Sequence, residues 1–282
     1  MRVFLRWTGR ILGGLLLLLL LAAGVVWALS ARILTAPGDV EGATFAIPDD
    51  SASIAEGERL ALIRGCPGCH GDNLAGQVLV DQPVLGRLTA PGLPELARSA
   101  PPERLERAIR RGIGLDGRAL LAMPSEMYFD LNDTDLGRIV AWVRSLRPEE
   151  PALPRRSLRL ARAFIVSGEF RPAHASVGAD RVRMESPAAN DTLRVGEYIA
   201  RTSCPECHGL ALGGDGTNTP GLAIAAGYTP EEWEMFLSTG TAKGGRELEL
   251  MSDVARFRLS HLTPFERTAL RGYLLTLGAA AR

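Results

Sequence analysis

Every cysteine in this 282-residue chain lies in one of two copies of Cys-x-x-Cys-His. They read Cys66-Pro67-Gly68-Cys69-His70 and Cys204-Pro205-Glu206-Cys207-His208. Each copy must present two thiols and an adjoining imidazole together, and the chain is long enough to build a separate small domain around each. The pattern is the attachment signature of c-type haem, in which both thiols bond to the porphyrin edge and the histidine is carried under the iron. Zinc binding and paired disulfides are the competing readings. A zinc site has no need of a histidine directly after the second cysteine, still less in both copies. Neither motif opens the strand–helix unit of a thioredoxin-like oxidoreductase. The sequence therefore predicts two covalently attached haem c groups, held by Cys66 and Cys69 and by Cys204 and Cys207.

The N-terminus supplies the cellular context. Arg2, Arg6 and Arg10 precede an uncharged run from Ile11 to Leu29, nineteen residues long. A cleaved signal has an apolar region of about 7–15 residues, whereas a spanning helix needs about 20. Ala28-Leu29-Ser30 loosely resembles a cleavage site, but the length of the run favours an uncleaved membrane anchor. The arginines before it predict a cytoplasmic N-terminus, with the rest of the chain across a bacterial inner membrane in the periplasm. The 32 basic residues balance 32 acidic ones, so nothing in the charge calls for nucleic acid.

The two halves repeat beyond their cysteines. Pro102-Glu103 through Gly112 matches Pro230-Glu231 through Gly240 at an offset of 128, each a helix ending on glycine. The same offset carries Met123 onto Met251, and an offset of 131 carries Trp142 onto Tyr273. A repeat of this size is a duplicated domain. Each half opens with a short helix. In the first, Ser53-Ile54-Ala55-Glu56 reads as a capping box and the helix runs to about Arg64. Gly57 and Gly196 interrupt these helices, which is understandable if another helix must approach closely there. Each half closes with an amphipathic helix. Leu136, Ile139, Val140, Val143 and Leu146 form the apolar face of one, and Leu270, Tyr273, Leu274 and Leu277 that of the other, behind a Thr263–Glu266 capping box.

These features predict an all-α chain: an anchor helix (1–31), a linker (32–51), a first domain (52–147), a second linker (148–190) and a second domain (191–282). The second linker begins Pro-Glu-Glu-Pro and carries the basic run Arg155-Arg156-Ser157-Leu158-Arg159. Its composition reads as a connector with a solvated surface, although Leu158 to Ile165 has the makings of a short helix.

With Gly57, Cys66–His70, Ala90-Pro91-Gly92-Leu93, Met123-Pro124 and Trp142 in one half, the chain resembles the class I c-type cytochrome family. Gly196, Cys204–His208, Thr219-Pro220-Gly221-Leu222, Met251-Ser252 and Tyr273 repeat the set in the other. It is similar to membrane-tethered two-domain cytochromes that serve dehydrogenases and terminal oxidases. The resemblance implies that His70 and His208 are the proximal iron ligands, and Met123 and Met251 the distal ones. Methionine sulfur raises the potential of a haem, which suits an electron carrier. Met127 competes with Met123, and Met235 with Met251, although Met235 sits within an apparent helix and reads as core. Met184 lies in the linker and is assigned to neither haem. The resemblance also implies that the carbonyls of Pro91 and Pro220 accept from the proximal histidines. Pro220 follows His208 by twelve residues, but Pro91 follows His70 by twenty-one. That difference predicts an insertion around Gln77–Arg87 and leaves Pro83 as a rival. His174 reads as exposed, and His261 lies near the Met251 loop.

The leading functional expectation is single-electron transfer between respiratory partners: a dehydrogenase, a quinol-oxidising complex or a terminal oxidase, with no small-molecule substrate. A dihaem enzyme, peroxidase-like or thiosulfate-oxidising, is the alternative from another class. It requires an open distal position with acid–base or nucleophilic groups beside it, and no such constellation accompanies either motif. A dedicated cytochrome subunit of a larger complex is the third reading.

Overall fold

The computed structural model of the chain describes residues 2–35, 40–147, 153–178 and 181–280. The Pro-Glu-Glu-Pro opening of the second linker lies outside the described residues. The fold is all-α with one small sheet. An exposed helix, α1 (Arg2–Leu34), leads into the first half: α2 (Ser51–Ile63), α3 (Cys66–His70), strands β1 (Gln77–Gln82) and β2 (Gly86–Ala90), α4 (Pro94–Ser99), α5 (Pro102–Arg111), α6 (Ser125–Tyr128) and α7 (Asp133–Ser145). The second linker forms β3 (Ser157–Leu158), α8 (Ala161–Ser167) and α9 (Ala173–Val177). The second half holds α10 (Thr192–Ser203), α11 (Pro205–His208), α12 (Pro230–Thr239), α13 (Leu250–Phe257) and α14 (Pro264–Ala280). Short 3-10 turns lie at Leu222–Gly227, before α12, and at Leu259–His261, before α14.

Each half is held by the crossing of its opening and closing helices. A β-carbon at Gly57 would lie 1.9 Å from the Arg138 carbonyl oxygen, and one at Gly196 would lie 2.0 Å from that of Ala269. Arg138 and Ala269 are 131 residues apart, the offset that also relates Trp142 to Tyr273. The two crossings are thus equivalent, and glycine permits backbone-to-backbone approach at both. Leu60, Leu74, Leu105, Leu136, Val140 and Trp142 are buried around the first crossing. Ile199, Leu212, Trp233, Phe236, Leu270 and Leu274 surround the second. Fully burying one such side chain contributes about 1.5–3 kcal/mol. The helices equivalent by sequence, α5 and α12, both end on a left-handed glycine, Gly112 (φ 68°) and Gly240 (φ 79°).

Several local expectations are corrected. The helix α2 starts two residues before Ser53, because Asp50 accepts from the Ser53 N–H at 2.9 Å and caps it. Glu56 is then free to pair with Arg59 at 2.7 Å. The Thr263–Glu266 box does form, with reciprocal bonds of 2.7 and 3.2 Å, and Thr229–Glu232 forms another. Met235 is 55% exposed, since α12 turns Trp233, Phe236 and Leu237 inward and leaves Met235 on the outer side. Met127 is fully buried within α6. His174 is half-buried in α9, because that helix packs against the left-handed turn at Gly112.

The predicted insertion is an antiparallel hairpin, β1 against β2, with β3 of the second linker added at its edge. The described part of that linker is therefore folded structure: β3 pairs with β2, and α8 packs on α1. Further contacts tie the halves to each other. Ile63 of α2 belongs to the second core and Tyr198 of α10 to the first. The Tyr198 hydroxyl donates to Asp135 at 2.7 Å, and Arg59 pairs with Glu266 at 2.7 Å.

Asp130, wholly buried, clips three segments together. It accepts from Arg181 at 2.6 Å, from the Met184 N–H at 3.0 Å and from Arg201 at 2.9 Å. Burial opposes its ionisation, but the Met184 N–H and the two guanidinium groups outweigh burial and hold its carboxyl below the usual 3.8. A carboxylate lowered in the folded state adds stability above its ordinary value and loses it as pH falls through the lowered one. The stability difference between the native protein and Asp130→Asn should thus be constant from pH 7 to about pH 5 and shrink below pH 4. Denaturant titrations at each pH test this, and a pH-independent difference would contradict it.

Candidate functional site

In the first half the motif is cut from α2 by a sharp turn. Arg64 ends the helix and Gly65 takes a left-handed conformation (φ 75°), so α3 starts as a new turn of helix with Pro67 near its start. A helical turn places Cys66 and Cys69 on one face at i, i+3, with His70 next in the chain. All four cysteines of the protein are unpaired thiols. The His70 ring is 9% exposed, and its Nδ1 lies 2.8 Å from the Pro91 carbonyl. A carbonyl oxygen only accepts, so Nδ1 carries the proton and Nε2 keeps its lone pair. Among the described residues that Nε2 has no hydrogen-bond partner. Burial also pushes the His70 imidazole below its ordinary value, the Pro91 bond opposing in part, which favours the neutral, ligating form.

The second half reproduces this bond for bond. His208 is 7% exposed, and its Nδ1 lies 2.8 Å from the Pro220 carbonyl. Gly71 donates to Pro67 as Gly209 does to Pro205; Gly76 donates to the His70 carbonyl as Gly214 does to that of His208. Leu93 donates to Leu74 as Leu222 does to Leu212. Leu74 (φ 55°) and Leu212 (φ 56°) share a left-handed backbone that leucine rarely adopts. The carbonyl beside His70 is that of Pro91. Pro83 sits at the hairpin turn, where Arg159 donates to it at 2.5 Å. Between Gly214 and Pro220 a tight loop replaces the hairpin, with the Asp215 carboxylate accepting from the N–H groups of Thr217, Asn218 and Thr219.

The two methionines are each half-buried and follow a strained residue. Ala122 (φ 60°) precedes Met123, and Glu249 (φ 43°) lies just before Leu250-Met251. With Leu74 and Leu212 these are the positive-φ non-glycine residues of the described chain. All four lie close to a motif or to a candidate methionine, where retained strain is most often functional. Met123 lies in a loop and lines a cleft of about 190 Å³ with Glu126, Arg171 and Glu206 of the second motif. Met251 stands at the start of α13 against the second core. Met184 packs beside the first core. The His261 carbonyl accepts from Arg59 at 2.9 Å.

The two motifs face one another across Arg258, a residue that sequence reasoning missed. Its guanidinium donates to the Ile63 carbonyl at 3.3 Å and to the Ser203 carbonyl at 3.4 Å, and pairs with Glu206 at 3.0 Å. It lies 2.6 Å from where a Gly65 β-carbon would stand. Burial pushes the Cys66 thiol up to about 11 and the Cys204 thiol up to about 12, and raises Cys69 and Cys207 less; the Arg258 charge opposes the rise at all four. Thiols so raised are protonated at neutral pH, the reverse of the low values that mark reactive redox cysteines. Among the described residues no group of three or more His, Cys, Asp or Glu side chains is arranged to hold a metal ion. Two free thiols and an imidazole with an unprotonated Nε2 suit a covalently bound haem.

Residues 52–143 match the family model described as cytochrome c oxidase, cbb3-type, subunit III. Over this stretch the chain is similar to a c-type cytochrome domain. The stretch spans the first motif, Gly57, Pro91, Met123 and Trp142. No curated protein matches the chain. A c-type cytochrome domain implies covalently bound haem c, and its chemistry is electron transfer. The matched stretch follows a helix, Arg6–Leu34, long and apolar enough to cross a membrane, with a mean hydropathy of 2.6 over its best window.

Proposed function

We propose that the chain is a membrane-anchored dihaem c-type cytochrome that passes single electrons between respiratory partners on the periplasmic side. The observation that carries this reading is the repeated attachment geometry. The hydrogen bonds around His70 recur around His208 in a half that lies beyond the matched family segment. Cys66, Cys69 and His70 would hold one haem c, with Met123 as distal ligand. Cys204, Cys207 and His208 would hold the other, with Met251. When bound, haem supplies a one-electron couple at its iron. The Pro91 and Pro220 carbonyls fix the orientation of each imidazole and raise its basicity. The two cores and the buried rings exclude water and so reduce reorganisation around each centre. The arginines before the apolar run support a cytoplasmic N-terminus. The name of the matched family supports a terminal oxidase as one partner.

The test combines haem counting with potentiometry. The mature protein should carry two covalent haems by mass spectrometry, and the pair Cys204→Ser/Cys207→Ser should carry one. Met123→Ala and Met251→Ala should each lower one potential by something on the order of 0.1 V, a fraction of the roughly 0.8 V over which axial ligands set haem potentials. Fewer than two haems in the native protein would overturn the dihaem reading. Spectra and potentials unmoved by either methionine substitution would overturn the distal ligands.

A further inference from the structure

Outside α1, six exposed large apolar side chains gather in one place: Val78, Val80, Val84 and Leu85 on the hairpin, with Leu160 and Phe164 at α8. Val84 is 66% exposed and Leu160 52%. The hairpin turn is bonded to the start of α8, with Leu160 N–H donating to Val84 at 3.2 Å and Ala161 N–H to Leu85 at 3.2 Å. The helix α8 is in turn fixed to α1. Arg162 donates to the Ser30 hydroxyl at 2.7 Å and lies 5.7 Å over the Trp27 ring.

That attachment sets a height. The run Ile11–Leu29 has nineteen residues, about 28 Å of helix, close to the roughly 30 Å thickness of a bilayer core. Trp27 and Ser30 therefore stand where hydrocarbon gives way to headgroups, and Arg162 is clamped to that level. Interfacial tryptophan and snorkelling arginine are the residues expected there. Beside the apolar cluster run Arg155, Arg156 and Arg159, all exposed. The hairpin's own acidic residue, Asp81, is offset by Arg87 at 3.0 Å. An apolar face flanked by exposed arginines, with Asp116 the acidic group whose charge reaches Arg156, suits the boundary of an anionic bilayer.

We infer that the β1–β2 hairpin and α8 form a second membrane contact, seated in the headgroup region of a bilayer containing anionic lipid, which fixes the first half against the membrane surface. The inference rests on the reading of α1 as a membrane span. Its consequence for the proposed function is that the first motif is presented to partners in a set orientation.

The test uses the full-length protein in lipid nanodiscs of phosphatidylcholine with phosphatidylglycerol. Single nitroxide labels are placed at Val84→Cys, Leu160→Cys, Leu20→Cys and the exposed Thr217→Cys. Accessibility to oxygen and to a water-soluble nickel chelate is then measured. Labels at Val84 and Leu160 should show nickel accessibility about threefold or more below Thr217, with oxygen accessibility retained, as for a face buried some 5–10 Å into the interface. Joint Arg155→Gln, Arg156→Gln and Arg159→Gln substitution should weaken that protection. If Leu20 is lipid-exposed while Val84 and Leu160 behave like Thr217, the second contact is overturned and the anchor stands. Shielding of both labels from oxygen as well as nickel would signify burial against protein and would equally overturn it. Nickel access at Leu20 would overturn the anchor itself.

Discussion

Gly196→Ala is expected to unfold the second half of the protein. The added methyl would lie 2.0 Å from the Ala269 carbonyl oxygen and 2.9 Å from the Tyr273 β-carbon. Neither is the far end of a flexible side chain, so α10 and α14 must separate along their whole contact. Overpacking typically costs about 1–3 kcal/mol and reaches about 4–5 in the exceptional cases where, as here, backbone meets backbone, a large share of the roughly 5–15 kcal/mol that stabilises a domain. Gly57→Ala should act alike on the first half, through the Arg138 carbonyl at 1.9 Å. Gly213→Ala is the control, since a β-carbon there meets nothing within 4 Å. Thermal unfolding followed by circular dichroism should show a large drop for the first two variants and little for the third. Melting temperatures equal across the three would sink the helix-crossing account.

On the dihaem reading proposed above, replacement of Arg258 by methionine is expected to lower the reduction potentials of both haems together. The guanidinium is largely buried, contacts the segment before Cys66 and the one before Cys204, and is felt at all four thiols. A fixed positive charge disfavours the more positive ferric state, so its loss should stabilise the oxidised form. A tenfold change in that equilibrium, a reasonable scale for a charge in a low-dielectric setting, is about 59 mV for one electron. Arg258→Lys should restore part of the shift, whereas Glu206→Gln should raise both potentials. Arg256→Met serves as a surface control, because the ion pairs of Arg256 among the described residues are with the exposed Asp253 and Glu247. A change confined to one haem, or an equal change in the Arg256 variant, would refute a charge shared by the two centres.

What was readable in the sequence is what local spacing encodes. The motifs, the glycine-ended helices, the apolar faces of α7 and α14 and the glycines at the helix crossings all follow from periodicity and residue type. Expectations failed where two local signals competed or where distant segments meet. Asp50 won the N-cap over Ser53 because its carboxylate reaches the Ser53 N–H first. Met235 was misplaced because an apolar residue inside a helix carries no mark of the face it occupies. The linker was read as connector on composition, yet β3 requires only two residues to find the edge of β2. Arg258 gave no signal at all: its partners Ile63 and Ser203 lie 195 and 55 residues away.

The placement of the hairpin has a wider consequence. Gly76, which precedes it, and Pro91, which follows it, are drawn together: a β-carbon on Gly76 would lie 2.8 Å from the Ala90 carbonyl oxygen and 2.6 Å from the Gly92 nitrogen. The same junction in the second half, between Gly214 and Pro220, is bridged by five residues. The segment thus differs between the halves while the junction that carries it is alike in both. Its length, polarity and outer contacts are free to diverge without moving the carbonyl that meets the histidine ring. Where the outer segment reaches and how the histidine ring is held are therefore set by separate parts of the chain.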